Sequence, residues 1–316
     1  MAKSKGTGAG IQPKTTWKNA FKRDWQLYLL LLFPLAMVFI FNYAAYPGMR
    51  LVFMDYKPAK GYAGSEWVGW ETFIKVFKDA DFSRALKSSI VFNLLDLIVG
   101  FPMPIILALM LNELRYPRFK KVTQTILYLP HFLSWVIIGS VAYTMFRPET
   151  GLVNIALMNA GLIEKGIPFL TEKYHWAVTY LLVGVWQGMG WGTIIYFAAL
   201  SGVDPQLYEA ASIDGAKRFK QLLHVTVPAI MPTVIIMLIL NCNNILNAGF
   251  DQIFMLYSAP VYEVADIIDT YVYRIGIQKT SYSFSTAAGM FKSVIALILI
   301  VSVNFVAKKS GNEGVW

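Results

Sequence analysis

Apolar runs near twenty residues long, set apart by shorter polar stretches, recur along this chain. That is the length an α-helix needs to cross a hydrocarbon core of about 30 Å. Six such runs stand out: Leu27 to Ala45, Ser89 to Leu111, Thr125 to Phe146, Trp176 to Leu200, Ala229 to Phe250 and Thr286 to Val306. The pattern predicts an all-α integral membrane protein with six transmembrane helices. The first run resembles a signal peptide, but it is too long and no small-residue cleavage site follows before Tyr46, so it should stay as a membrane anchor. Between the first two runs, Trp67, Trp70, Phe73, Ile74 and Phe77 recur at helical steps, which predicts a short amphipathic helix at the membrane surface.

Composition agrees with the pattern and narrows what the chain can do. Of 316 residues, 56% are hydrophobic and 15% charged, against about 25% charged in soluble domains. The single cysteine, Cys242, excludes an internal disulfide or a Cys-type metal site. A net charge of +9 would suit nucleic acid, but its distribution points elsewhere. With the N-terminus inside, the inner segments hold 15 Lys/Arg against 6 acidic residues, and the outer segments 12 against 12. The whole excess thus faces the cytoplasm, as the positive-inside rule requires. This predicts a multi-pass protein of a prokaryotic plasma membrane, surrounded by lipid and without a nucleic-acid partner. Its parts are a basic cytoplasmic tail (1–26), a six-span domain (27–306) and a cytoplasmic C-terminal tail (307–316). Residues 1–16 are rich in Gly, Lys and Thr and read as disordered.

The connector between the fourth and fifth runs carries the most specific signal. Asp204 is a good N-cap and Pro205 suits the first helical position, so a helix should run to about Ile213 and end at Gly215. A second helix with Lys217, Arg218 and Lys220 should follow, and Pro228 should mark the change into the fifth span. Small residues Ala210, Ala211 and Ala216 around the bend permit close approach by another surface. Glu209-Ala210-Ala211, three residues, Gly215, nine residues, Val225, one residue, Val227-Pro228 resembles the EAA loop of ABC importer permeases. Valine stands where that family usually has Ile and Leu, and Asp214 fits the common D-G-A form. The basic tail, six spans and long first outer loop are also similar to the carbohydrate-importer permeases, the polysaccharide-type branch in particular.

The resemblance implies an ABC type I importer transmembrane domain in which residues 204–228 form a coupling loop. In that family the elbow docks into a groove on a separate ATPase. Glu209, Ala210, Ala211, Asp214, Gly215 and Ala216 would form the docking surface. It further implies a second homologous permease, two ATPase subunits that bind ATP-Mg, an extracytoplasmic binding protein and a saccharide substrate. No phosphate-cradling G-x-x-x-x-G-K-[ST] loop is present, and His131, His175 and His224 lack metal-ligand spacing, so neither a bound cofactor nor catalysis is expected of this chain.

Span five carries Asn241, Asn243, Asn244 and Asn247, then Asp251 and Gln252. On one continuous helix, positions 241, 244, 247, 251 and 252 fall on a single polar stripe. Such a stripe cannot face lipid, since each unpaired amide there costs several kcal/mol. It is either interhelical glue or the lining of a hydrated path. Trp135, Trp186, Gln187 and Trp191 supply aromatic faces and amides that suit sugar rings. Asp96 and Lys292 are the ionisable residues within the runs and sit at matching depth, so they are expected to pair or to line the path together. A permease for another solute and a secondary transporter are the alternatives. A membrane enzyme ranks below both, because the outer carboxylates Asp79, Asp81, Asp266 and Asp269 have no base or nucleophile beside them in sequence.

Overall fold

A computed structural model describes residues 17–242 and 249–309. Helix α1 (Trp17–Val38) and a π-helical turn at Phe39–Tyr43 form a first unit that ends at Arg50. The second unit holds the rest. It begins with a two-residue hairpin, β1 (Met54–Asp55) on β2 (Glu66–Trp67), antiparallel with Met54 opposite Trp67. Helix α2 (Glu71–Lys78) is the surface helix expected from the aromatic spacing, but it starts four residues later than Trp67. Gly69, at φ +57°, turns the chain first, and Trp67 remains in the hairpin. Thr72 and Val76 form its buried side, and Ile74 and Phe77 its exposed side.

Helices α3 (Ala80–Leu95) and α4 (Pro102–Asn112) join through a π turn at Asp96–Gly100 into one stretch. Next come α5 (Pro117–Tyr128), α6 (Trp135–Phe146), α7 (Leu152–Asn159) and the long α8 (Lys173–Ser201). Helices α9 (Pro205–Ile213) and α10 (Arg218–Gln221) precede α11 (Val227–Cys242). Three short helices, α12 (Phe250–Leu256), α13 (Tyr262–Ala265) and α14 (Ile268–Tyr273), lead to α15 (Tyr282–Lys309).

By length and composition, five helical stretches among the described residues suffice to cross a membrane: Phe21–Phe53, Ala80–Asn112, Lys173–Ser201, Arg218–Asn241 and Tyr282–Ser302. The sixth expected span, Thr125 to Phe146, is not one helix. Pro117–Phe132 and Trp135–Phe146 meet at 102°, and the protein has six spans when this bent pair is counted as one. Pro130 opens a 3₁₀ turn over Leu129–Phe132, Leu133 is extended, and Ser134 caps a new helix by accepting the Ile137 N–H. Apolar runs report burial and not continuity, so the break was invisible in them. Pro228 stands at the change into the fifth span as expected, as the second residue of α11, and the π turn at Leu222–Thr226 leads into it without a break in the helical stretch.

Close packing of α8 organises the second unit. Trp176, Tyr180 and Val183 face Phe92 of α3, Ile138 of α6 and Ile253 of α12 in one core cluster. Further along, Tyr196 and Leu200 meet Ala108 and Ile230 in another. Gly190 lets the backbone of α5 lie against α8: a Cβ there would stand 1.9 Å from the Leu127 carbonyl oxygen. A third cluster joins Val52, Val76 and Phe82 to Tyr271, Ile275 and Ala287.

Candidate functional site

The elbow forms as its sequence dictates. Asp204 accepts the Gln206 N–H at 2.9 Å, and Pro205 opens α9. At the other end the Gly215 N–H donates to Ser212 O at 3.1 Å and the Ala216 N–H to Ala211 O at 2.9 Å, the paired bonds of a Schellman stop. Gly215 sits at φ +77°, and nothing lies within 4 Å of where its Cβ would be. The requirement for glycine is therefore one of backbone conformation and not of space.

No residue of α9 is buried. Glu209, Ala210, Asp214 and Gly215 are exposed, and Ala211 and Ala216 half-buried. Among the described residues Glu209 has no hydrogen-bond or ion-pair partner. Beside it stand two apolar residues the sequence reading passed over, Ile213 at 87% and Phe219 at 70% exposed. The signal was available: sec-butyl and phenyl groups close together inside a charged connector make an apolar patch that a partner surface can cover. Behind the elbow lies a polar cavity of about 270 Å³ lined by Asn112, Glu113, Arg115, Tyr208, Arg218 and Gln221. Glu113 and Arg218 face each other at 3.8 Å.

The candidate path residues do not form one cluster. Trp191 stacks flat on His131, with centroids 4.7 Å apart and planes 5° from parallel, and Phe132 meets it edge-on. This group sits at the break in the third span. His131 Nδ1 is buried there without a hydrogen-bond partner among the described residues. Trp186 instead borders an apolar cavity of about 250 Å³ with Ile138, Val141 and Phe146, while Trp135 packs against the first core cluster. Gln187 is half-buried.

The polar stripe of span five is not carried by one described helix. Asn241 lies in the last turn of α11, Asn244 and Asn247 lie outside the described residues, and exposed Asp251 lies in the first turn of the separate helix α12. Gln252 is buried and donates from Nε2 to Tyr180 O at 2.7 Å, so at this position the amide is interhelical glue.

The expected pairing of Asp96 with Lys292 is corrected by the structure. Lys292 Nζ donates to both carboxylate oxygens of Asp269, at 2.6 and 2.7 Å. The connector between the fifth and sixth spans folds back beside α15, which places a loop carboxylate at the depth of Lys292. Depth counted along helices could not foresee that. Asp96 sits in its π turn with Oδ1 lying where a Cβ on Gly100 would be, and it has no ion-pair partner among the described residues. The other scattered carboxylates are also engaged. Asp266 holds Arg274 at 2.8 and 2.6 Å and accepts from Thr270 at 2.7 Å, and Asp79 accepts from Tyr271 at 2.7 Å. Donating to Asp266 and lying beside its charge pushes the Arg274 guanidinium still further above its usual range.

The fold is thus that of a multi-pass membrane protein with one capped, exposed elbow between its fourth and fifth spans. The family model described as binding-protein-dependent transport system inner membrane component matches residues 100–310. The chain belongs to that family, and is thus a membrane-spanning permease subunit of an ABC transporter. It is 43% identical to protein LplB of Bacillus subtilis (strain 168) over 98% of this chain and 95% of that one. To the polygalacturonan/rhamnogalacturonan transport system permease protein YteP of the same organism it is 43% identical, over 92% and 90%. Among solved structures, a chain of a bacterial alginate ABC transporter in complex with an alginate pentasaccharide-bound periplasmic protein superposes with a TM-score of 0.85. Identity is 37% over 96% of this chain and all of that one.

Proposed function

We propose that this permease carries an oligosaccharide derived from a polysaccharide across the plasma membrane of a prokaryote. An extracytoplasmic binding protein delivers the sugar, and two ATPase subunits holding ATP-Mg drive the cycle. A second homologous permease completes the pathway. Both termini and the elbow lie in the cytoplasm, as the basic inner segments require.

The exposed elbow carries this reading. A rigid helix with a free carboxylate at Glu209 and an uncovered apolar group at Ile213, followed by uncovered Phe219 on α10, is built to be gripped. If the grip differs between two ATPase states, it biases an inward/outward equilibrium by that difference in affinity. The full-length likeness to permeases named for polygalacturonan and found with alginate supports the saccharide. The half-exposed aromatic faces of Trp186 and Trp191 supply surfaces on which a sugar ring can pack.

Proteoliposomes holding this chain with its partner permease and ATPase subunits provide the test. Accumulation of labelled galacturonate oligosaccharides should require ATP inside and binding protein outside. Uptake driven by an ion gradient with the ATPase omitted would replace this reading with a secondary transporter.

A further inference from the structure

An elbow that moves a span must be stiffly joined to it, yet α9 buries no residue, so apolar packing transmits little. Polar side chains make the joint instead. Tyr208 OH and Thr226 Oγ1 are 3.0 Å apart, with Thr226 buried at the foot of the fifth span. Gln221 Nε2 donates to Ser212 Oγ at 2.8 Å and to Ala216 O at 3.0 Å. On α9, Tyr208 and Ser212 are one turn apart and share a face, about 6 Å along the axis at 1.5 Å per residue. Their partners stand at the two ends of the π turn, Gln221 just before it and Thr226 its last residue. One tie would leave a hinge, whereas two separated ties resist rotation. Glu209 and Ile213, each one residue on, lie on a neighbouring face that stays uncovered.

We propose that the Tyr208–Thr226 and Gln221–Ser212 bonds form a brace that makes α9 and the foot of the fifth span a single rigid lever. The four side chains are positioning residues: they touch neither ATPase nor sugar, and they hold the gripped face at a fixed angle to the span it moves. The π turn is the weak link being spanned, since such a turn interrupts the regular ladder and is a natural point of flexure. This inference rests on the docking reading above.

Spin labels on the assembled transporter test it, in a Cys242→Ser background with Gln206→Cys on α9 and Ile236→Cys on span five. Between the nucleotide-free state and the state trapped with Mg-ATP and vanadate, the parent should keep one narrow distance distribution. Adding Tyr208→Phe and Gln221→Ala should broaden it and make it shift by several ångströms with nucleotide, while the ATPase still co-purifies and hydrolyses ATP. Thr226→Ser should retain the parental distribution and the isosteric Thr226→Val lose it, which guards against a folding defect in the double variant. A Tyr208→Phe/Gln221→Ala chain with a narrow, nucleotide-independent distribution overturns the brace, as does a parental distribution that itself shifts. If the ATPase fails to co-purify with the parent, the docking reading falls. The nucleotide-free comparison of parent and variants then still decides the brace.

Discussion

Two polar connectors flank the fifth span, and they use similar residues to opposite ends. The elbow at one end, 204–216, buries no residue of its helix. The connector at the other end, 259–278, is drawn into the bundle, with Asp266 2% exposed and Thr270 and Tyr271 fully buried. In the second, the polar groups drawn inward are matched inside the chain: Asp266 to Arg274 and Thr270, Asp269 to Lys292, Tyr271 to Asp79, and the Ile268 N–H to Ser89. In the first, the helix ends and one face are matched while Glu209 and Ile213 are left open. A connector whose polar groups are all satisfied internally is a strut, and one that leaves a face unsatisfied is a handle. The former should answer to mutation through stability and the latter through transport.

The largest effect is expected in the strut. Arg274→Ala leaves the Asp266 carboxylate buried and uncompensated, which costs about 3–5 kcal/mol for a buried pair. Thermal unfolding of the purified chain in detergent should show a clear fall, and protein in the membrane should drop. An unchanged transition would mean that water reaches Asp266 and that the strut is no more than a second surface loop. Next comes Lys292→Ala, whose cost is smaller because Asp269 is partly exposed. The exchange Asp269→Lys with Lys292→Asp should recover part of it. A swap no better than the single changes would sever the two residues energetically.

Gly215→Val reverses the balance between stability and activity. A side chain at φ +77° costs roughly 1–2 kcal/mol of backbone strain, spent in a helix that contributes no buried surface. Membrane insertion and unfolding temperature should hardly move, while ATP-driven uptake is lost because the Schellman stop and the angle of α9 both depend on that residue. Normal uptake by this variant would argue strongly against the elbow as handle.

The shape of the elbow was legible in the sequence to the residue, and the contacts of the strut were not. Caps, a left-handed stop and residue spacing are local properties, so Asp204, Pro205, Ile213 and Gly215 announced the start and end of α9 directly. The spans were legible as apolar runs for the same reason, although several ends moved, outward as in Ala80–Asn112 for Ser89 to Leu111 and inward at the end of the fifth, Asn241 for Phe250. Non-local facts were hidden. Nothing near Lys292 in the chain indicates that Asp269 folds back to meet it. The 102° break at Leu133–Ser134 lies in a run whose hydropathy is continuous, and the stripe drawn through Asn241 and Asp251 assumed one helix where the structure has two.

The smallest predicted effect makes the sharpest test, because it changes neither charge pairing nor packing. Asp204→Ala removes an N-cap that accepts one backbone N–H, worth about 1 kcal/mol. In a buried helix that loss would be absorbed by its neighbours. The first turn of α9 buries no residue, so it should fray, and amide exchange at Gln206 should rise about fivefold, as 1 kcal/mol implies at room temperature. Exchange in α14 should stay unchanged. Uptake should decline modestly but remain, since the Tyr208–Thr226 bond anchors the helix just beyond the frayed turn. If uptake falls as far as with Gly215→Val, the lever begins at the cap and not at Tyr208, and the gripped surface extends to the end of α9.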